Sequence, residues 1–270
     1  MPPPQNIYNN PTFFTEYSAL PRSQGGLSSA PEWPVLRDMV LNSPPSPNPK
    51  NKTDLSGYRI LDLGCGYGWF ARWARDSGAA FVRAVDVSEM MICRAKEFEN
   101  ETDVAGVIRY EICDIESLTL AECERGSYDV VYSSLVFHYI EDLARLYRGI
   151  HASLRKGGRL VFSVEHPVYS APARPGPDWR VLQVEGEERK VWPLNCYSDE
   201  GWRVSSWMGV DGVRKFHRTV ESYVTLLLES GFVLTGLKDW VPSTEDVSQH
   251  PEWKDERHRP YFLIVSAEAR

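Results

Sequence analysis

Short apolar runs alternate with amphipathic stretches through the middle of the chain. Runs of this kind, bounded by turn residues, predict buried strands. They cover residues 58–61, 80–86, 107–112, 128–133 and 159–164. After the first run, Phe70, Trp73 and Ala74 recur at the spacing of one helix face. Strands that are each followed by a helix are typical of an α/β fold with a doubly wound, mostly parallel sheet.

Capping residues and glycines set the expected helix boundaries. Ser88 is expected to cap a helix over residues 89–99. Glu141 suits the start of a later helix, because an acidic side chain there complements the helix dipole. The glycine pair at 157–158 is expected to end that helix.

Two strand patterns near the C-terminus, at 232–240 and 261–267, have no convincing helix pattern between them. They predict a hairpin, which would place an antiparallel strand in the sheet. Residues 166–217 interrupt the alternation with five prolines, four tryptophans and short β-like runs. A long segment of this kind inside a compact domain is usually functional, so we expect a β-rich cap insertion over a substrate site.

The chain before the first strand differs from the rest. Residues 1–30 are too aromatic for a disordered tail, and we expect short helices near 11–19 and over 32–41. Prolines crowd residues 42–53, which predicts a solvated linker. The expected organisation is an N-terminal helical segment and linker over 1–56, followed by one domain over 57–270.

Composition narrows the classes of function. The 270 residues are 42% hydrophobic and 25% charged, which is typical of a soluble globular protein. The net charge of −7 gives no basic footprint for nucleic acid. Five scattered cysteines without a C-x-x-C pair argue against a disulfide framework or a zinc site. The start of the chain does not resemble a signal peptide, and no apolar run approaches the roughly 18 residues of a membrane span. We therefore expect a cytoplasmic protein that does not bind membranes.

The first strand leads into a glycine turn, Gly64-Cys65-Gly66-Tyr67-Gly68, with Asp62 two residues before it. A dinucleotide fingerprint would need a third glycine at the position of Trp69. A carboxylate beside the turn favours a cofactor with a cationic amino group, such as S-adenosylmethionine. The alternative is a turn that only allows a helix to pack on the sheet.

Further polar residues follow the next strands, at the edge where open α/β sheets bind ligands. Asp86 ends the second strand, 24 positions after Asp62, and is expected to accept hydrogen bonds from ribose hydroxyls. Asp114 could take an adenine amino group or cap a turn. Ser133 and Ser134 end the fourth strand and are expected to face the crevice.

Three residues are the catalytic candidates. His138 is a possible general base or a packed histidine at the crevice rim. Glu165 and His166 end the fifth strand, where a carboxylate beside an imidazole could move a proton or orient a substrate, or where His-Pro could simply form a turn. His217 and Arg218 close the cap region and could be catalytic, but we expect them to form a surface pair. The four cap tryptophans could wall a pocket or form the core of the cap, and at least two are expected to do the second.

Five segments, in order and at matching spacing, resemble the class I S-adenosylmethionine-dependent methyltransferases. They are Leu61 to Gly68, Val85 to Ser88, Cys113 to Ile115, Tyr128 to Ser133, and Leu154 to Leu160. Within this class the chain resembles the small-molecule group that includes the ubiquinone and menaquinone C-methyltransferases. It most closely resembles a subgroup with Phe-His-Tyr-Ile after the fourth strand and Ser-Val-Glu-His-Pro after the fifth, here residues 137–140 and 163–167. The Asn-Pro-Pro-Tyr tetrad of amino-methylating nucleic-acid enzymes is absent after the fourth strand.

The resemblance implies a Rossmann-like sheet of seven strands with the last one antiparallel, and S-adenosylmethionine as cofactor. It implies that Asp62 and the glycines hold the methionine part, Asp86 the ribose, and residues 113–115 the adenine. It also suggests that the N-terminal segment, with Tyr17 and Arg22, closes over the cofactor. The expected cofactor-binding residues are Tyr17, Asp62, Gly64, Cys65, Gly66, Gly68, Asp86, Val87, Cys113, Asp114, Ile115 and Ser133.

The sequence thus predicts methyl transfer from S-adenosylmethionine to an O, N or activated C atom of a small molecule, without a metal cluster. Two alternatives stay open at this point, a nicotinamide-dependent oxidoreductase and a non-catalytic cofactor-binding scaffold. The identity of the acceptor and the oligomeric state are not encoded in any motif of the chain.

Overall fold

The computed structural model describes residues 5–42, 54–100, 106–120 and 124–270. The α-helices are α1 (Pro11–Ser18), α2 (Pro21–Gly25), α3 (Trp33–Leu41), α4 (Trp69–Asp76), α5 (Glu89–Asn100), α6 (Leu143–Ser153), α7 (Pro167–Ser170), α8 (Val220–Glu229) and α9 (Thr244–Gln249). The strands are β1 (Arg59–Leu63), β2 (Phe81–Asp86), β3 (Ile108–Ile112), β4 (Tyr128–Ser134), β5 (Leu154–Glu165), β6 (Arg180–Val184), β7 (Glu187–Val191), β8 (Gly201–Trp207), β9 (Val210–His217), β10 (Phe232–Trp240) and β11 (Phe262–Ala269). Apart from Asn42, the predicted linker over 42–53 lies outside the described residues.

Seven strands form one sheet in the order β10-β11-β5-β4-β1-β2-β3. The pairs among β1 to β5 are parallel, whereas β11 runs antiparallel to both β10 and β5. The predicted doubly wound sheet and its C-terminal antiparallel strand are therefore confirmed. Because strand order changes direction between β1 and β4, a crevice opens there at the carboxyl ends of the strands.

The core has two layers, one on each face of the sheet. Ile60 and Leu61 are both fully buried, but successive residues of a strand point to opposite faces. Leu61 belongs to a cluster that includes residues of α6 and α8. Ile60 belongs to the other cluster, with residues of α3 and α4. Within the described ranges, no helix is long and apolar enough to span a lipid bilayer.

Two local expectations need correction. The helix α6 ends at Ser153, four residues before the glycine pair at 157–158, because β5 already begins at Leu154 and includes both glycines. The connection from β10 to β11 contains α9 and a 3-10 helix over Pro251–Arg257, where no helix was expected. A capping box at Ser243 begins α9, but its short polar sequence carries no apolar periodicity.

The cap insertion is built from two antiparallel hairpins, β6–β7 and β8–β9, each separate from the main sheet. The expectation of a β-rich insertion is confirmed. The second hairpin ends at His217, directly before α8, so its C-terminal end is fixed close to the carboxyl edge of the sheet.

Candidate functional site

One cavity of about 560 Å³ lies at the carboxyl edge of the sheet. Each of the five parallel strands contributes a lining residue at or just after its end: Gly64, Asp86, Asp114, Ser134 and Glu165. The N-terminal segment, the cap and the β10–β11 end of the sheet complete the walls. The crevice predicted by strand order is therefore a cavity with walls from several parts of the chain.

The glycine turn supplies backbone rather than side chains to this cavity. Gly64 and Gly66 both line it and have positive φ angles of 77° and 52°. A Cβ atom on Gly64 would lie 2.2 Å from Val136 Cγ2, so no other residue fits there. Gly68 does not line the cavity. It packs against Tyr110 and begins α4, so it shapes the turn without facing a ligand.

A second cavity of about 110 Å³ lies beside the turn. Four of its lining side chains bury a polar atom that has no hydrogen-bond partner within the described ranges. These atoms are Asp62 Oδ2, Glu32 Oε2, Ser23 Oγ and Trp69 Nε1. Burial, reinforced by the neighbouring Asp86 charge, raises the pKa of the Asp62 carboxyl well above its usual value.

This set of atoms contains two carboxylate oxygens and two hydrogen-bond donors. Buried polar atoms normally have partners, so four unpaired ones around one cavity fit a polar ligand. An ammonium group next to a carboxylate, as in the methionine part of S-adenosylmethionine, matches both kinds of atom. Asp62 was expected here and so was Cys65, which lines the smaller cavity. The sequence did not indicate Ser23, Glu32 or Trp69 as ligand contacts.

Asp86 is buried at the end of β2 and already accepts two backbone hydrogen bonds. Gly66 N–H donates to its Oδ2 and Ser88 N–H to its Oδ1, both at 2.9 Å. Burial raises the pKa of this carboxyl, and the two backbone hydrogen bonds oppose the rise. The oxygens keep further lone pairs for hydroxyl donors, and both Asp86 and Val87 line the cavity.

The segment after β3 and the end of β4 differ in part from expectation. Asp114 and Ile115 line the cavity, but Cys113 does not. Ser133 is fully buried and donates its hydroxyl hydrogen to Leu63 O at 2.8 Å, so it joins two strands instead of facing the crevice. Its neighbour Ser134 lines the cavity.

The N-terminal segment bridges the cofactor side of the site and the cap. Asn6 Nδ2 donates to Val87 O at 3.1 Å. Gln5 exchanges two hydrogen bonds with the backbone of Arg214, which lies on the cap strand β9. Tyr17 lines both cavities, and burial raises its pKa to about 12. The segment therefore covers the crevice, as the resemblance implied.

His138 lines the main cavity and is buried. Burial lowers the pKa of its imidazole to about 4, so the ring is neutral at physiological pH. Glu165 N–H donates to His138 Nδ1 at 3.3 Å. With Nδ1 acting as acceptor, the ring proton lies on Nε2. The imidazole therefore offers a hydrogen-bond donor and not the free lone pair of the expected general base.

Glu165 and His166 do not form the expected pair. The Glu165 Oε1 atom accepts from Lys215 Nζ at 2.5 Å. Burial alone would raise the pKa of the Glu165 carboxyl, but Lys215, His138 and Arg259 together lower it. His166 points elsewhere: Val168 N–H donates to its Nδ1, and its Nε2 bonds Asp239 Oδ1 at 2.9 Å. His166 caps α7 and does not line the cavity, so the structure gives it a structural place.

The four cap tryptophans are divided between the two expected roles, the wall of a pocket and the core of the cap. Trp202 and Trp207 line the cavity. Trp179 and Trp192 pack on the guanidinium of Arg259, which lies 4.9 and 4.2 Å from the two ring centroids.

The expected surface pair of His217 and Arg218 is wrong, because both side chains are buried. His217 bonds Ser170 Oγ and Tyr197 O, each at 2.9 Å. Arg218 donates to Glu141 O at 2.5 Å. Both residues therefore tie the cap to the rest of the domain.

Comparison with known proteins agrees with this geometry. A family model described as a methyltransferase domain matches residues 61–162. The crystal structure of an S-adenosylmethionine-dependent methyltransferase from Mesorhizobium loti is 40% identical, covers 90% of this chain and 100% of that one, and superimposes with a TM-score of 0.76. An uncharacterized protein of Haemophilus influenzae is 30% identical over 264 residues, which make up 97% of this chain and 96% of that protein.

A shorter match concerns a protein with a named reaction. The ubiquinone biosynthesis O-methyltransferase of Neisseria meningitidis is 36% identical over 110 residues. The match spans 41% of this chain and 45% of that protein.

Proposed function

This chain belongs to the family of S-adenosylmethionine-dependent methyltransferases, and from that premise we propose that it methylates a small molecule bound beside the cofactor. The observation that carries the proposal is the continuity of the main cavity. Residues on the cofactor side, such as Gly66 and Asp86, and the candidates His138 and Glu165 line the same 560 Å³ space. A concave site that combines apolar walls with polar groups suits a small molecule.

Four unpaired buried atoms support the place of the cofactor. The carboxylates of Asp62 and Glu32 are matched to its ammonium group, and Ser23 Oγ and Trp69 Nε1 to its carboxylate. Asp86 is placed to accept from the ribose. When bound, S-adenosylmethionine supplies a sulfonium methyl group that passes to the acceptor atom while the electron pair of the broken S–C bond stays on sulfur.

The protein's task in such a reaction is mainly to align the acceptor and exclude water. The N-terminal segment and the cap cover the site through the hydrogen bonds of Gln5 to Arg214. The neutral state of His138 and the lowered pKa of Glu165 support a hydrogen-bond donor and an ionised acceptor on the acceptor side. We assign these two residues to holding the acceptor, and no role in the reaction to His166.

Calorimetric titration and turnover test the proposal together. We expect micromolar binding of S-adenosylmethionine and S-adenosylhomocysteine and no binding of NADH. With S-adenosylmethionine and a dialysable metabolite extract, S-adenosylhomocysteine should accumulate. Binding of NADH alone would support an oxidoreductase, and cofactor binding without turnover in any extract would support a scaffold. Turnover only with the macromolecular fraction would contradict a small-molecule acceptor.

A further inference from the structure

The carboxylate of Glu165 has one oxygen bonded and one free. Its Oε1 accepts from Lys215 Nζ at 2.5 Å, while Oε2 is buried and has no partner among residues the structure describes. Both side chains are largely buried, 13% exposed for Glu165 and 11% for Lys215. Lys215 comes from the cap strand β9 and Glu165 from the end of β5. The cap therefore supplies the countercharge of a carboxylate on the main sheet.

We define the acceptor half of the cavity as the lining residues contributed by β5, the cap and the β10–β11 end of the sheet. It contains six aromatic rings: Trp202, Trp207, Trp240, Trp253, Tyr261 and Phe262. Aromatic walls of this kind favour a flat apolar ligand, because stacked and edge-to-face contacts add to the burial of its surface.

Among the described residues of the acceptor half, both lining carboxylates have a cationic partner. Lys215 compensates Glu165, and Glu256 forms an ion pair with Arg259. The remaining charged lining residue of this half is Arg214, whose guanidinium lies 5.4 Å from the centre of the Trp202 ring. A cationic ligand would meet a positive field, whereas a neutral hydrogen-bond donor would find the free carboxylate oxygen.

From this arrangement we infer that the acceptor half takes an uncharged aromatic hydroxyl compound whose hydroxyl donates to Glu165, and that Lys215 sets this preference by neutralising the carboxylate. The inference rests on the proposed function and adds the substrate class and a specificity-determining residue to it. A hydroxyl proton released during methyl transfer would pass to Glu165. His138 Nε2–H provides a donor for a second polar group of the same ligand.

Binding of three matched probes tests the inference without knowledge of the natural acceptor. Naphthol, its methyl ether and naphthylmethylamine share one ring system and differ in presenting a neutral donor, no donor or a cation. Their affinities are measured by tryptophan fluorescence with S-adenosylhomocysteine at saturation. We expect naphthol to bind the unmodified protein at least about ten-fold more tightly than either other probe, since an unpaired buried acceptor disfavours an analogue that lacks the donor.

Variants of Lys215 test whether the charge of this side chain, rather than its shape, determines which probe binds best. In Lys215→Met the carboxylate loses this countercharge and a cationic ligand would supply it instead, so the preference should reverse in favour of naphthylmethylamine. Lys215→Arg should keep the original order. The double variant Glu165→Gln with Lys215→Met removes both charges and should not favour the amine, which covers the case that the single variant folds poorly. Lys238→Met, an exposed lysine on β10, is the matched control.

The binding results distinguish failure of the inference from failure of the proposed function. An unmodified protein that prefers the amine, or an unchanged order in a Lys215→Met variant that still binds S-adenosylhomocysteine, would overturn the inference. Failure of all three probes to bind while S-adenosylhomocysteine binds would overturn the aromatic substrate class alone. If the unmodified protein does not bind S-adenosylhomocysteine, the proposed function itself is refuted.

Discussion

The backbone amide of Glu165 donates to His138 Nδ1 at 3.3 Å and thereby fixes which ring nitrogen carries the proton. The strand end that supplies the acceptor-side carboxylate also orients the acceptor-side imidazole. Burial keeps that imidazole neutral, with a pKa of about 4. The two candidate residues are therefore coupled through the backbone, and a shift of the end of β5 would move both.

Nitrogen NMR of the histidines tests this protonation state. We expect His138, assigned by its absence in His138→Gln, to remain neutral with its proton on Nε2 as the pH falls from 7 until near 4. Because the unfolded chain binds this proton near pH 6.5 and the folded chain near 4, the residue makes the free energy of unfolding rise with pH between those values. An imidazole that titrates near 6.5 in the folded protein would restore the general-base interpretation.

Substitution of Asp62 or Glu32, the two carboxylates at the smaller cavity, should weaken recognition of the amino acid part of the cofactor only. Asp62→Asn and Glu32→Gln each remove a charged acceptor, and such hydrogen bonds contribute about 2 kcal/mol, roughly a thirty-fold change in affinity. We expect that loss for S-adenosylhomocysteine and little change for methylthioadenosine, which lacks the amino acid part. Calorimetry measures the affinity of each variant for both ligands.

The exposed Glu229 on α8 provides the control for this experiment, as Glu229→Gln removes a carboxylate that lines neither cavity. Equal weakening of the two ligands by Asp62→Asn would place the aspartate elsewhere on the cofactor.

The cofactor side of the site was largely predictable because its determinants are local. A turn with Gly64 and Gly66 needs positive φ angles that other residues rarely adopt, so the glycines themselves mark the turn. Asp86 is the last residue of β2 and comes directly after the apolar residues Ala84 and Val85. The prediction failed for one of two adjacent serines, because successive residues of a strand point to opposite faces. Ser134 lines the cavity, whereas the Ser133 hydroxyl donates to Leu63 O of the neighbouring strand.

The acceptor side depends on contacts that no local pattern encodes. Lys215 meets Glu165 across 50 positions, and its partner is decided by how the β8–β9 hairpin lies on the sheet. Glu32 was expected only as the start of a helix, yet it lines the smaller cavity because α3 packs beside the glycine turn. The burial of His217 could not be predicted for the same reason, because it depends on how the cap packs against the rest of the domain.

Arg259 holds the cap against the C-terminal part of the domain, and its replacement should loosen that contact. Its guanidinium lies 4.5 and 4.2 Å from the ring centres of Tyr169 and Trp192 and forms an ion pair with Glu256. Arg259→Lys keeps the charge but loses the planar stacking, so we expect the free energy of unfolding to fall by about 1–3 kcal/mol. Urea denaturation measures this loss.

Arg270→Lys, at the exposed C-terminus, is the control for Arg259 and should leave the urea midpoint unchanged. Limited proteolysis locates the effect: cleavage within residues 171–200 should become faster in Arg259→Lys. An equal midpoint for the two variants would show that the stacked rings do not fasten the cap.

Alanine substitution at two glycines with similar positive φ angles distinguishes an effect on stability from an effect on ligand binding. Gly66 and Gly57 have φ angles of 52° and 78°, and a Cβ atom on either would have no protein atom within 4 Å. Alanine should therefore cost each about 1–2 kcal/mol of stability through strain alone. Gly66 lines the main cavity and Gly57 does not, so the added methyl group enters ligand space only in Gly66→Ala. We expect thermal midpoints to fall alike, while S-adenosylhomocysteine affinity falls at least about ten-fold in Gly66→Ala and stays unchanged in Gly57→Ala. Equal affinities in the two variants would mean that the cofactor does not approach the backbone of this turn.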